Sequence, residues 1–196
     1  MKESAATSKK EKTRERILRA TARAIRKHGY EGVGVADVMK QAGLTHGGFY
    51  AHFASRDALL AQAAEQADLE SAETFSRALA RAKPGEELMA LIDAYLADRH
   101  VKAAEHGLGC DLAAAGSEVP RQHRDVRRVV SQRIDDFIGL VESQLPDREK
   151  GAAREKAMAI VPCMVGALML ARAADDPQLS KDIRKAAREF IRNAIA

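Results

Sequence analysis

The stretch Val35 to Phe53, VADVMKQAGLTHGGFYAHF, constrains this chain more than any other. Val35, Val38, Met39 and Ala42 fall at helical spacing and predict a short helix with one apolar face. Gly43 follows, where a sharp turn needs a residue that accepts positive φ. Leu44 is expected to point back into the core, and Thr45 to cap a second helix through its hydroxyl. That helix would bury Phe49 and Phe53 and carry His46, Gly47, Gly48, Tyr50 and His52 on its other side. Two short helices about a tight turn make either a plain packing hairpin or a helix-turn-helix whose second helix enters a DNA major groove.

Three features favour DNA. Gly47 and Gly48 put small residues where a backbone must come close to a ligand. The same face carries polar and aromatic groups suited to bases and phosphates. The surroundings are basic: residues 1–56 hold 12 Lys and Arg against 5 Asp and Glu, whereas residues 57–196 hold 20 against 23. The formal net charge of +4 therefore hides a basic head on a mildly acidic body, as expected for a polyanion-binding unit joined to something else.

Residues 13–60, TRERILRATARAIRKHGYEGVGVADVMKQAGLTHGGFYAHFASRDALL, resemble the DNA-binding domain of the tetracycline-repressor (TetR) family. The matching pieces are the Ile17/Leu18/Ala22/Ile25 helix, the Gly29-Tyr30 break, the Ala42-Gly43-Leu44-Thr45 turn, the run from Gly48 to Phe53 and the following Ser55-Arg56-Asp57-Ala58-Leu59. Three positions depart from the family pattern: Gly34 stands for the usual Ser or Thr, Met39 for a small Ala, and Ala54 for Lys. The resemblance implies that Thr45, His46, Gly47 and Gly48 lie nearest bases or phosphates, and that Tyr50, His52 and Arg56 contact phosphates. It also implies a homodimer bound to a palindromic operator, a body enclosing a small-molecule site, and a two-fold bundle of the last two helices.

The remaining chain reads as all-helical, with about nine helices in total. Residues 1–10 are expected to be a flexible basic arm, 11–54 the helix-turn-helix domain and 55–196 a ligand-binding and dimerisation domain. Helices are predicted over 11–28, 54–82, 86–106, 110–119, 121–145, 148–174 and from 177 to the end. Pro162 should kink or cut the sixth of these. In the 121–145 helix, Val126, Val130, Ile134, Phe137, Val141 and Leu145 recur at spacings of three and four. In the first helix, Arg16, Arg19, Arg23, Arg26 and Lys27 lie off the apolar face.

Enzyme motifs and metal-ligand spacings are absent, so neither catalysis nor a cofactor is expected. There is no apolar run of 18 residues and no signal-peptide core, which predicts a cytoplasmic protein without a membrane span. Two cysteines make no disulfide framework. Cys110, expected where a helix begins, is either a thiol of lowered pKa able to sense oxidants or electrophiles, or a small apolar plug. Tyr95, Phe137 and Met164, with Cys110, are the candidate lining of a ligand pocket, against the simpler reading of plain core. Val165, Leu168, Phe190 and Ile191 are the candidate dimer contacts. Functionally the sequence points to a DNA-binding repressor released by a small-molecule inducer. A thiol sensor on the same scaffold and a structural DNA-binding dimer without ligand stand beside it.

Overall fold

The computed structural model describes residues 9–145 and 151–195. Most of the expected basic arm and the expected start of a helix at residue 148 lie outside the described residues. Among these residues the chain forms nine α-helices and three 3₁₀ segments, with no strand. The helices are α1 (Lys9–His28), α2 (Val35–Gln41), α3 (Arg56–Leu79), α4 (Glu87–Tyr95), α5 (Asp98–Lys102), α6 (Leu112–Ala115), α7 (Arg124–Ser143), α8 (Ala152–Ala173) and α9 (Pro177–Ile195).

Two apolar clusters organise the chain. The first holds Ile17, Leu18 and Ile25 of α1, Val38 and Met39 of α2, Phe49 and Phe53, and Leu59 and Leu60 of α3. Ala115, Val126 and Val130 close it from the body. The second gathers α4, α7, α8 and α9 around Leu91, Ile92, Tyr95, Val141, Met164, Leu168 and Ile191. Helix α3 runs through both, carrying Leu59 and Leu60 in the first and packing Phe75 and Leu79 on the second.

Local chemistry fixes the helix ends. The Ser55 side chain accepts the amide hydrogen of Ala58 at 3.1 Å and caps α3, satisfying one of the unpaired first-turn donors. Asp176 does the same for α9 through the Gln178 amide at 2.8 Å, with Pro177 in the first helical position, where its missing N–H costs nothing.

Several expected elements differ. The 86–106 helix is three pieces, α4, α5 and a 3₁₀ segment Ala103–His106. The 110–119 helix is only four residues of α-helix followed by a 3₁₀ segment Gly116–Arg121. Pro162 does not cut α8, which is continuous. The ring lies on the exposed side, so the carbonyl it leaves unpaired can bond water. Helix α8 is also long and apolar enough, by length and composition, to cross a membrane. Its apolar inner face packs on α6, α7 and α9. Leu69 of α3 is exposed, although it is apolar.

Four arginines expected in solvent or unremarked are structural. Arg26 of α1 is buried and donates to Glu70 at 2.7 Å and to the Ala67 carbonyl at 3.2 Å. Arg133 of α7 pairs with Asp111 and, at 3.1 Å, with Asp68. It occupies the stripe position assigned to Ile134, which is instead exposed. Arg172 of α8 donates to the carbonyls of Cys110 and His100. Arg184 of α9 donates to the Leu96 carbonyl.

Candidate nucleic-acid interface

The turn between the two motif helices is built as the sequence requires. Gly43 has φ +68°. Its amide donates to the Lys40 carbonyl and the Leu44 amide to the Met39 carbonyl, both at 2.9 Å. These two bonds close a Schellman motif, which only a residue free of Cβ enters without strain. Leu44 is half-buried against the first apolar cluster.

The second element is a 3₁₀ segment, His46–Ala51, and not the α-helix expected. Six residues with two adjacent glycines cannot repay α-helix nucleation, and short 3₁₀ turns need less. Thr45 has the extended backbone of a cap, yet its side chain accepts no cap hydrogen bond. Phe49 and Phe53 are buried and stacked 5.8 Å apart, anchoring the segment to the core. Their burial turns the other face outward.

On that face Thr45, His46 and Gly47 are exposed, Gly48 is half-buried, and Tyr50 is 75% exposed. The Tyr50 ring meets Phe49 edge-on at 5.1 Å, so its base is fixed while its hydroxyl faces out. His52 is half-buried, and its Nδ1 is buried without a hydrogen-bond partner among the described residues. A Cβ on Gly47 would meet nothing within 4 Å, and one on Gly48 would make only ordinary contacts with Met39 and Thr45. Interior packing therefore does not require glycine at 47 or 48.

Arg56 has a different occupation from the expected phosphate contact. Its Nε donates to the Val33 carbonyl at 3.1 Å and its Nη2 to the Tyr30 carbonyl at 2.5 Å. It ties the loop between α1 and α2 to the first turn of α3. Arg14 lies over the Phe53 ring at 5.4 Å and donates to Gln62. With Arg26, three of the head's basic side chains are thus engaged internally. Lys12, Arg16, Arg19, Arg23, Lys27 and Lys40 are exposed.

A family model for bacterial regulatory proteins of the tetR family matches residues 17–63, the span just described. Residues 17–63 are a DNA-binding domain of the TetR type. Solved structures extend the likeness to the whole chain. A TetR transcriptional regulator from Chloroflexus aurantiacus is 25% identical, with a TM-score of 0.78 over 93% of this chain and 96% of that one. A TetR-family regulator from Cytophaga hutchinsonii is 18% identical with a TM-score of 0.81, over 96% and 97%. Escherichia coli NemR in its reduced form is 20% identical with a TM-score of 0.80, over 94% and 97%. No curated protein matches the sequence significantly. The TetR-family fold is that of a DNA-binding transcriptional regulator.

In the TetR-type body, Tyr95, Cys110, Phe137 and Met164 share one apolar cluster and are all buried. Phe75, Tyr95 and Phe137 form a triangle of rings, with centroids 5.3 to 6.0 Å apart. Tyr95 Oη is buried without a hydrogen-bond partner among the described residues. It lies close to the Cys110 thiol, and burial raises its pKa well above the ordinary value. Burial also pushes the Cys110 thiol up. Cys110 lies two residues before α6, and the Ala113 amide draws its pKa down, but burial outweighs this; of the two expectations, the small apolar plug is favoured over a thiol of lowered pKa. Two open clefts, of about 660 and 280 Å³, lie on the head beside Asp37 and Lys40 and along Arg16 and Arg23. Neither reaches the four body residues. No group of three or more His, Cys, Asp or Glu could hold a metal ion among the described residues.

The four expected dimer contacts separate. Leu168 and Ile191 are 0% exposed in the single chain and belong to its own core, so a partner cannot reach them. Phe190 is 65% exposed and Val165 half-buried. Other large apolar residues exposed on these two helices are Met158, Met169 and Leu170 of α8 and Leu179 of α9. Sequence reading did not separate the inward from the outward positions, because neighbours on one helix differ by 100° of rotation and periodicity shows an apolar face without saying what covers it.

Proposed function

We propose that this protein is a cytoplasmic homodimeric repressor that reads a palindromic operator and leaves it when a small-molecule inducer binds the body. Residues 11–54 are the reading head and residues 55–196 the ligand and dimer body, with 1–10 a basic arm. Thr45, His46, Gly47 and Gly48 approach base edges and phosphates, while Tyr50 and His52 hold the backbone. Phosphate contacts position such a head, and the few base contacts specify it.

The observation that carries the reading is Gly47. It sits on an exposed segment anchored by Phe49 and Phe53, with open space where a side chain would be. A reader of two half-sites needs two heads at fixed spacing. The exposed apolar face of α8 and α9 around Met158, Met169 and Phe190 supports a second copy docking there. The inducer acts by binding better to a state whose heads are wrongly spaced, so its effect is limited to its differential affinity.

One competing reading has an observation in its favour. The body is filled at Tyr95, Leu91 and Met164, as a DNA-binding dimer without ligand would be. Genome-wide DNA capture with purified protein tests the proposal. Discrete palindromic sites support it, and uniform capture that fades with salt supports the structural dimer.

A further inference from the structure

The loop Gly107–Asp111 is held by three arginines from three different helices. Arg26 of α1 donates to the Gly107 carbonyl at 3.4 Å, Arg172 of α8 to the Cys110 carbonyl at 3.0 Å, and Arg133 of α7 to the Asp111 carboxylate. Two of the three are neutralised: Arg26 by Glu70, and Arg133 by Asp111 and Asp68. Arg184, Arg188 and Arg154 of α8 and α9 also each have a carboxylate. Arg172 has no carboxylate within ion-pair distance among the described residues, and Asp111, itself paired with Arg133, acts on it only from farther away. The terminal nitrogens of Arg172 donate only to the neutral carbonyls of Cys110 and His100, and its Nε is buried without a partner. A guanidinium does not shed its proton, so a half-buried one left with carbonyls alone is incompletely compensated.

Around it the groups are arranged as a receiving site. Tyr95 Oη is fully buried, with the Cys110 thiol beside it and Arg172 near enough to act on it. His100 accepts the Cys110 amide hydrogen on Nε2 at 3.0 Å, which makes Nδ1 the protonated nitrogen, donating to the Tyr95 carbonyl at 2.6 Å. The imidazole is therefore neutral and adds no competing charge. Gly109, at φ +91°, lets the loop lie against Arg172; a Cβ there would fall 2.8 Å from the guanidinium. The Phe75, Tyr95 and Phe137 rings stand next to this polar corner. Phe75 is the half-exposed member of the three.

We infer that the body binds a small organic monocarboxylate, its carboxylate on Arg172 and the Tyr95 hydroxyl and its apolar part among the rings of Phe75, Tyr95 and Phe137. The inference rests on the inducer reading above and names the class of inducer. A carboxylate supplies the missing anion, the planar guanidinium suits its two oxygens, and Phe75 turns outward to admit the apolar part. Seated there, the ligand competes with the Cys110 and His100 carbonyls for Arg172 and loosens the loop that Arg26 ties to the head.

The test uses the purified full-length protein at constant ionic strength. Benzoate, cinnamate and octanoate are titrated beside their neutral amides, with binding read by calorimetry and operator affinity by fluorescence anisotropy. At least one acid should bind tenfold or more tighter than its amide. Arg172→Met should lose that advantage, and Tyr95→Phe should reduce it severalfold. If Arg172→Met does not fold, Arg172→Lys keeps the charge without the fork and should still lose severalfold. Amides that bind as tightly as acids, no binding by any acid, or full acid affinity in the Arg172 variants would each overturn the inference. Operator release by neutral compounds alone ends the inference and leaves the inducer reading standing. Arg172-dependent acid binding that leaves operator affinity unchanged keeps the site and ends the inducer reading.

Discussion

The carbonyl oxygen of Gly107 accepts a hydrogen bond from Nη1 of Arg26 at 3.4 Å, across 81 residues of chain. The approach is close: a Cβ on Gly107 would lie 2.6 Å from the Arg23 carbonyl, and the residue has φ +67°. One helix of the head and one loop of the body are thus in backbone contact at a point where only glycine fits.

Gly107→Ala should therefore destabilise the protein by about 2–4 kcal/mol, the sum of left-handed strain and a backbone clash. Arg26→Met should cost a similar amount, because it strands Glu70, which is partly solvated, and frees two carbonyls. Urea unfolding checks both. A change under about 0.5 kcal/mol in each would mean the joint contributes nothing to folding.

Arg56→Ala should cost about 1–3 kcal/mol of stability through the lost bonds to Tyr30 and Val33, while the slope of log affinity against log salt stays the same. A phosphate contact would instead flatten that slope by about 0.9 per phosphate. The paired measurement of unfolding and salt dependence separates the two roles.

His100 should make stability fall with acid. Burial pulls its pKa down to about 4 in the folded protein, below the ordinary histidine value of about 6.5. Between those values the unfolded chain binds a proton that the folded chain refuses, so stability is lost as pH drops through this window. The loss reaches about 3 kcal/mol at its lower end. Above the ordinary histidine value both states are neutral and the group has no effect. His100→Gln should remove this part of the slope, measured as the difference between the two proteins' urea midpoints at several pH values.

The helix-turn-helix was legible because its determinants are local. The turn at Gly43 caps α2 through bonds from Gly43 to Lys40 and from Leu44 to Met39, three and five residues back, and Phe49 and Phe53 are four apart on one face. Arg56 was not legible as a tether, because its acceptors, Tyr30 and Val33, lie more than twenty residues away. The buried arginines follow the same logic. Arg133 sits in the stripe Val126, Val130, Phe137 and Val141, but a guanidinium is read as solvated until Asp68 and Asp111 are found beside it. Among the dimer candidates, Leu168 and Ile191 were misplaced by rotation alone: Phe190 faces out and Ile191, one residue on, faces in.

That rotation gives a further expectation. Phe190→Glu should yield monomers by light scattering with a folded far-UV spectrum, and should weaken full-operator binding at least tenfold. Leu168→Ala should instead cost about 2–5 kcal/mol of folding stability, as for a buried leucine. A dimeric Phe190→Glu protein would move the interface elsewhere.

The central claim is that the exposed face of residues 45–52 meets DNA, and Gly47→Ala addresses it most directly. Gly47 has no positive φ and no neighbour within 4 Å of a Cβ, so alanine is accommodated in the free protein. The measurement is fluorescence anisotropy on a captured operator, with thermal unfolding of the same samples. The account predicts unchanged or slightly raised stability and at least a tenfold loss of operator affinity, a change of about 1.4 kcal/mol or more. A Gly47→Ala protein that binds operator as tightly as the parent, at equal stability, would contradict it.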